Sequence, residues 1–274
     1  MKISRRRFLL STAVAGGGVL IGYSALKPSK HRRANAELVT GEERYVTSFI
    51  KIEPNNKITI YVPHSEMGQG VHTSLPMMAA DELDAAWEDI NVEQAPATDM
   101  FANGELVKGF AGEVGIPGIL TGLVNFSAAS IAELMNLQIT GGSSSVRFTG
   151  ESSMRTAGAA ARQMLVECAA NRWDVATDEC STALTHVQHN ASGRSLSYGE
   201  LAADAALLEP PGNVTLKDPS QFTIMGKAIS RVDIPAKVDG SAEYGIDAQS
   251  EGMLYAAIRL APVFGTKLVS VDAG

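Results

Sequence analysis

Along residues 37–210 the apolar positions switch between a period of two and a helical period. Ile58, Ile60 and Val62 alternate with Thr59 and Tyr61, which predicts a strand ended by Pro63. Tyr45–Ile52 reads as a strand before it, joined through Pro54-Asn55-Asn56 as a hairpin. Leu75, Met78, Ala79, Leu83 and Ala86 then fall at helical spacing, with Thr73 or Ser74 placed to cap that helix and Pro76 suited to its first turn. Ile90–Gln94 alternates again. Ala95–Gly118, rich in Gly, Pro and Asn, reads as a long loop, and Ile119–Leu137 as a helix. A longer helix is expected from Ser153 to about Trp173, with Met154, Ala157, Ala161, Met164, Leu165 and Cys168 on one face. Ala183–Gln188 predicts a strand, Asn190–Gly193 a turn and Arg194–Leu196 its short return. Ser197 with Glu200 makes a capping box for a helix Tyr198–Leu208. Pro210-Pro211 ends that helix. A linker, 210–222, then separates the body, 37–209, from a more strand-like segment, 223–274.

The N-terminus follows a different pattern. Ser4-Arg5-Arg6-Arg7-Phe8-Leu9-Leu10 precedes an apolar run rich in Ala and Gly from Thr12 to about Leu26. That is the layout of a twin-arginine export signal, with an apolar region too short and glycine-rich for a membrane span. Ala34-Asn35-Ala36 is a candidate cleavage site behind the basic Lys27–Arg33 segment. Residues 1–36 are therefore read as an export signal and basic linker outside the fold, and the expected location is periplasmic or membrane-associated. Whether the signal is cleaved or kept as an anchor stays open.

Of the 23 basic and 30 acidic residues, eight basic and no acidic ones lie in residues 1–36, which leaves 15 basic against 30 acidic in the body. An acidic body argues against nucleic acid as a partner. Cys168 and Cys180 are the only cysteines and have no CxxC or Cys/His metal spacing, so no metal site is assigned and iron–sulfur clusters are not expected on this chain. Cys168 reads as a buried free thiol.

Two glycine turns carry the candidate chemistry. Met67-Gly68-Gln69-Gly70 stands between a strand and a helix, where backbone N–H groups and the positive end of a helix dipole suit a phosphate. By spacing alone it is neither GxGxxG nor a P-loop, and a tight structural turn is the commoner reading. Thr140-Gly141-Gly142-Ser143-Ser144-Ser145-Val146-Arg147 enters the long helix, with hydroxyls and a guanidinium that can meet phosphate oxygens; its bland alternative is a flexible linker. Gln69 can donate and accept with one amide. Met67 reads as packing beside the loop, and His72 as a hydrogen-bonder at the helix entry rather than a ligand.

Taken together, Glu66–Thr73, Leu75-Pro76-Met77, Asp81-Glu82-Leu83 and Val92–Pro96 resemble the molybdopterin-binding subunit of the xanthine dehydrogenase family, in its isoquinoline 1-oxidoreductase β-subunit and membrane-associated aldehyde dehydrogenase branch. Thr140–Arg147, Met154–Ala160 and the export signal agree with it. Arg231–Gly240, Ala242–Asp247 and Gly252–Leu260 resemble the start of that family's hammerhead α/β domain. The resemblance implies an α+β fold: part of a molybdenum-cofactor-binding domain with mixed sheets and packed helices, followed by the beginning of the hammerhead domain. It implies that Gly68, Gln69, Gly70, Gly142, Ser143, Ser144 and Ser145 contact a molybdenum cofactor, often in its cytosine dinucleotide form. It further implies a molybdenum hydroxylase that oxidises an aldehyde or N-heterocycle with water as oxygen donor. Electrons would pass to a small [2Fe-2S] α-subunit and onward to a c-type cytochrome.

The family acts through a glutamate near the C-terminus of a much longer chain. No glutamate here matches its motif, so no catalytic residue is assigned; that glutamate is expected beyond Gly274. Glu66, beside the cofactor loop, has no sequence argument that promotes it. The chain is expected to be an N-terminal portion of a longer subunit and inactive alone. The alternative is an exported, non-catalytic binding or scaffold protein, a truncated relative. A serine hydrolase built on the Gly/Ser loop fails for want of a GxSxG elbow.

Overall fold

The computed structural model describes residues 28–105, 109 and 130–272. The chain divides into two compact units, Met1–Ile234 and Pro235–Gly274.

The first unit is built on a four-stranded sheet of β1 (Arg44–Thr47), β2 (Ile50–Ile52), β3 (Ile58–Val62) and β4 (Ile90–Gln94), in that spatial order. The first three strands are antiparallel, and β4 pairs parallel to β3, Ile58 facing Ile90 and Val62 facing Gln94. A parallel neighbour needs a crossover, and α2 (Val71–Glu82) supplies it. All five residues of β3 are buried, the polar Thr59 and Tyr61 included. The alternating run is therefore a fully covered interior strand, because Tyr61 stacks on Tyr45 at 5.4 Å between centroids and packs on Phe101. The expected single strand Tyr45–Ile52 is instead two, folded at Ser48-Phe49 so that Thr47 faces Ile50. Phe49 gains burial by that fold.

Helix α2 packs Leu75, Ala79 and Leu83 into the core. It is entered from Gly70 in the left-handed region, so neither Thr73 nor Ser74 caps it; the Ser74 hydroxyl donates back to the Gly70 carbonyl at 2.8 Å. Pro76 lies in the helix interior rather than its first turn, buried among core residues. Against α2 runs a π-helical segment, Ser145–Arg155, continuous with α3 (Thr156–Trp173). This helix begins eight residues earlier than its apolar periodicity suggests. Its expected face is buried throughout: Met154, Ala157, Ala161, Met164, Leu165 and Cys168. Gly158 makes the close approach possible, because a Cβ there would stand 2.3 Å from the Ala79 carbonyl oxygen.

A second sheet contains β5 (Cys180–Ala183), β6 (His186–His189) and β7 (Arg194–Ser197). The strand expected over Ala183–Gln188 is broken at Leu184 and Thr185, both at positive φ. Two non-glycine residues hold that conformation because Thr185 is pinned: its N–H donates to Asp84 O, its hydroxyl accepts from the Ala86 N–H, and its carbonyl accepts from the Tyr198 N–H, each at 3.0 Å. The capping box forms as expected, with Ser197 accepting from the Glu200 N–H, and starts α4 (Tyr198–Ala205), which ends before Leu208. Tyr198 is wholly buried and donates to the Leu83 carbonyl at 2.7 Å.

Three boundaries differ from the sequence reading. Lys30–Glu37, read from sequence as part of the export signal and basic linker, forms a helix, α1, docked on the unit. Arg33 forks onto Asp99 at 2.7 and 2.9 Å, and the Asn35 amide clasps the Tyr45 backbone. Ala34 is fully buried, which places the candidate cleavage tripeptide inside a packed helix; residues 1–27 lie outside the described residues. The linker 210–222 is anchored rather than free, since Asp81 and Glu82, both buried, grip Lys217 and Thr223–Met225, and the first unit continues to Ile234.

The segment expected to be strand-like contains no strand among its described residues, Lys267–Asp272 included. The second unit holds most of α5 (Ile234–Asp239) and a series of turns, and its apolar side chains, among them Leu254, Ile258, Phe264 and Val269, are exposed. Strands need partners for their backbone groups, and this unit supplies none. Of the long loop, residues 95–105 are described, with Met100 and Phe101 buried in a short 3₁₀ turn. Of the helix expected over Ile119–Leu137, residues 130–134 are helical and the earlier ones lie outside the described residues.

Candidate cofactor site

The two glycine turns, far apart in sequence, are neighbours in space. The Ser65 N–H donates to the Thr140 hydroxyl at 3.1 Å. Just inside, buried His64 shares a 2.7 Å hydrogen bond with Thr149 on the π-helical segment. Gly150 of the same segment lies against Met78 and Leu75 of α2, so close that a Cβ would overlap the Met78 sulfur. Both turns therefore sit at the entrances of two helices packed side by side. π-helical turns are uncommon and concentrate at functional sites.

Gly68, Gly70 and Gly142 all have positive φ, of 99°, 80° and 52°, and among the described residues no atom beyond their chain neighbours lies within 4 Å of where a Cβ would stand on any of them. The backbone at these three positions is open to a flat ligand. Other parts of the expected site are already engaged. The Gln69 amide folds back on its own loop, donating to the Ser65 carbonyl at 2.8 Å and accepting from the Met67 N–H. Ser145 is fully buried, and its hydroxyl accepts from the Gly141 N–H at 2.8 Å. Ser143 is exposed and Ser144 half-buried. Arg147 is exposed and lies over the Phe148 ring at 4.2 Å.

The N–H groups expected to await a phosphate at the start of α2 are also engaged. Glu66 Oε1 accepts from Gly68 at 2.8 Å and Gly70 at 3.0 Å, and Oε2 accepts from His72 at 3.2 Å. Burial would push this carboxyl up, but the three N–H donors and the neighbouring Arg231 guanidinium outweigh it and hold the carboxyl below the usual range. Met67 is exposed rather than packed beside the loop. His72 is a hydrogen-bonder, as its position suggests: Nε2 donates to the His64 carbonyl at 3.1 Å and lies 3.2 Å from Gln94 Oε1. Burial depresses His64 to about 4, so the ring is neutral near pH 7. No group of three or more His, Cys, Asp or Glu side chains is placed to hold a metal among the described residues, and both thiols are free.

Sequence reasoning left Glu66 without a role, although a carboxylate two residues before the first glycine of such a turn is within local reach of its N–H groups. Thr140, His64 and Arg231 had no local signal, because their partners come from distant segments.

Residues 13–109, which contain the first of the two glycine turns, match the family model described as the molybdopterin cofactor-binding domain. The chain carries a molybdopterin cofactor-binding domain, as its motifs imply. It is 31% identical to the isoquinoline 1-oxidoreductase subunit beta of Brevundimonas diminuta, over 100% of this chain and 35% of that protein. It is 30% identical to a membrane-bound aldehyde dehydrogenase (pyrroloquinoline-quinone) of Gluconacetobacter polyoxogenes, over 98% of this chain and 31% of that protein. The solved quinoline 2-oxidoreductase of Pseudomonas putida 86 aligns at a TM-score of 0.37 with 17% identity, over 60% of this chain and 17% of that one. The chain spans about a third of the length of these two curated relatives.

Proposed function

We propose that this chain is the cofactor-binding part of a molybdenum hydroxylase subunit that oxidises an aldehyde or an N-heterocycle, with water as the oxygen donor. The single observation that carries the reading is the meeting of the two glycine turns at Ser65 and Thr140, each opening a helix and each presenting bare backbone. The relatives support it by their names, one an oxidoreductase of an N-heterocycle and one of aldehydes.

The residues fit the cofactor in two parts. Gly68, Gly70 and Gly142 admit a flat ring against the main chain, while the Ser143 and Ser144 hydroxyls, with Arg147 on the same helix entrance, suit phosphate oxygens. The Gln69 and Ser145 side chains hold the shapes of their own loops, the first by donating to the Ser65 carbonyl and the second by accepting from the Gly141 N–H. The cofactor would supply the redox centre, in the cytosine dinucleotide form. A separate [2Fe-2S] subunit, and beyond it a c-type cytochrome, would receive the electrons. We place the protein in the periplasm or at the membrane, exported by the twin-arginine route, and read residues 223–274 as the start of a hammerhead domain.

The test is metal and nucleotide analysis of the protein purified from its native envelope fraction. Stoichiometric molybdenum, with cytidine monophosphate released on acid hydrolysis, is the expected result. Protein free of molybdenum and pterin would overturn this reading in favour of the non-catalytic scaffold.

A further inference from the structure

We propose that Glu66 and Arg231 form a positioning pair that fills the anion position at the start of α2 with the protein's own carboxylate. The Gly68-Gln69-Gly70 turn is thereby set to receive a neutral ring edge, and the phosphates of the ligand are left to the serine turn. This rests on the cofactor reading above and divides the labour between its two loops.

A helix start leaves its first N–H groups without intrahelical partners, and together with the dipole they favour one anion. At α2 that anion is Glu66, which takes the N–H groups of Gly68, Gly70 and His72 on its two oxygens. The side chain is mostly buried, with about a tenth of its surface exposed. Arg231, 165 residues later, completes the clamp: one terminal nitrogen lies 3.2 Å from Glu66 Oε1 and the other donates to the Gly68 carbonyl at 3.0 Å. Asp233 orients the guanidinium by a fork of 2.6 and 2.9 Å, and the Val232 N–H donates to the Thr73 hydroxyl at 3.0 Å. The segment 231–233 is thus stapled to the first turn of α2.

Two consequences follow from charge and geometry. A phosphate approaching these N–H groups would meet a carboxylate that already uses them, and like charges at that separation repel. Among the described residues nothing lies within 4 Å of where a Cβ would stand on either of the turn's left-handed glycines, so that side of the turn stays bare. Serving as a loop lock, Glu66 is a positioning residue and not a ligand.

The experiment is amide hydrogen exchange on the full chain, with any co-purifying subunits, in wild type, Glu66→Ala, Glu66→Gln and Arg231→Met. The amides of Gly68, Gly70 and His72 should exchange at least about tenfold faster in Glu66→Ala, while Ala79 and Ala80 in the body of α2 stay unchanged. Millimolar inorganic phosphate should restore their protection in Glu66→Ala and leave wild type unaltered; a merely structural defect would not be rescued by an anion. Arg231→Met should loosen Gly68 and Gly70 more weakly, and it decides the matter with Glu66→Gln if the alanine variant does not fold. Unchanged exchange in the variants, or phosphate protection of these amides in wild type, would overturn the proposal. Molybdenum and pterin content, read on the same wild-type sample, reports separately on the cofactor reading: exchange dependent on Glu66 in a protein without pterin would sink that reading and leave the lock standing.

Discussion

Ser65 and Thr140 are joined by a 3.1 Å hydrogen bond from a backbone N–H to a hydroxyl, and through it the two glycine turns share one register. Thr140→Val keeps the shape of the side chain and removes the acceptor. We expect a loss of about 1 kcal/mol in denaturant unfolding, with faster amide exchange confined to residues 64–70 and 140–145. Uniform destabilisation without local loosening would mean that the bond does not tie the turns.

Asp81 is a buried carboxylate at the end of α2 that accepts from the backbone of Thr223, Ile224 and Met225 and faces Lys217. Burial pushes it up, but these donors outweigh burial and hold the carboxyl below its usual range. Asp81→Asn turns an amide group toward N–H donors. The expected cost is about 2–4 kcal/mol, with new proteolytic cleavage between residues 215 and 226 as the local sign. A depressed carboxyl stabilises above its unfolded pKa and loses that contribution as the pH falls through the folded value, so the variant should show a flatter acid limb than wild type.

His64 is fully buried and held near 4, against an ordinary value of 6.5. Between these values the unfolded chain binds a proton that the folded one does not, so stability is full above about pH 6.5 and falls toward pH 4. The contribution is at most about 3 kcal/mol. His64→Gln should remove most of that slope in urea titrations between pH 7 and 4. An unchanged slope would place the sensitivity in other groups.

Gly158 faces the Ala79 carbonyl across the α2–α3 contact. On propensity alone Gly158→Ala should stabilise the helix by about 1 kcal/mol. Because the obstructing atom is backbone inside a packed pair, we expect net destabilisation of about 1–3 kcal/mol, seen as a lower denaturation midpoint at unchanged slope. A neutral or stabilising result would mean that the helices separate at little cost.

What the sequence determined by itself was local. The period of two placed β3 and β4, helical spacing chose the buried face of α3, the Ser197–Glu200 box started α4, and the glycines marked both turns, because each of these depends on residues within one or two turns of chain. Tertiary structure decided the rest. It broke the Tyr45–Ile52 and Ala183–Gln188 runs, the first because Phe49 is buried by folding back and the second because Thr185 is held at positive φ by Asp84, Ala86 and Tyr198. It made Lys30–Glu37 a docked helix through Asp99 and Tyr45, and it turned the linker into part of the first unit through Asp81 and Glu82. It also gave Glu66 the N–H groups that sequence left free for a phosphate, with a guanidinium brought from residue 231. Partners separated by up to 165 residues leave no periodic trace, since nothing in local spacing records which distant side chain will satisfy a buried donor or charge.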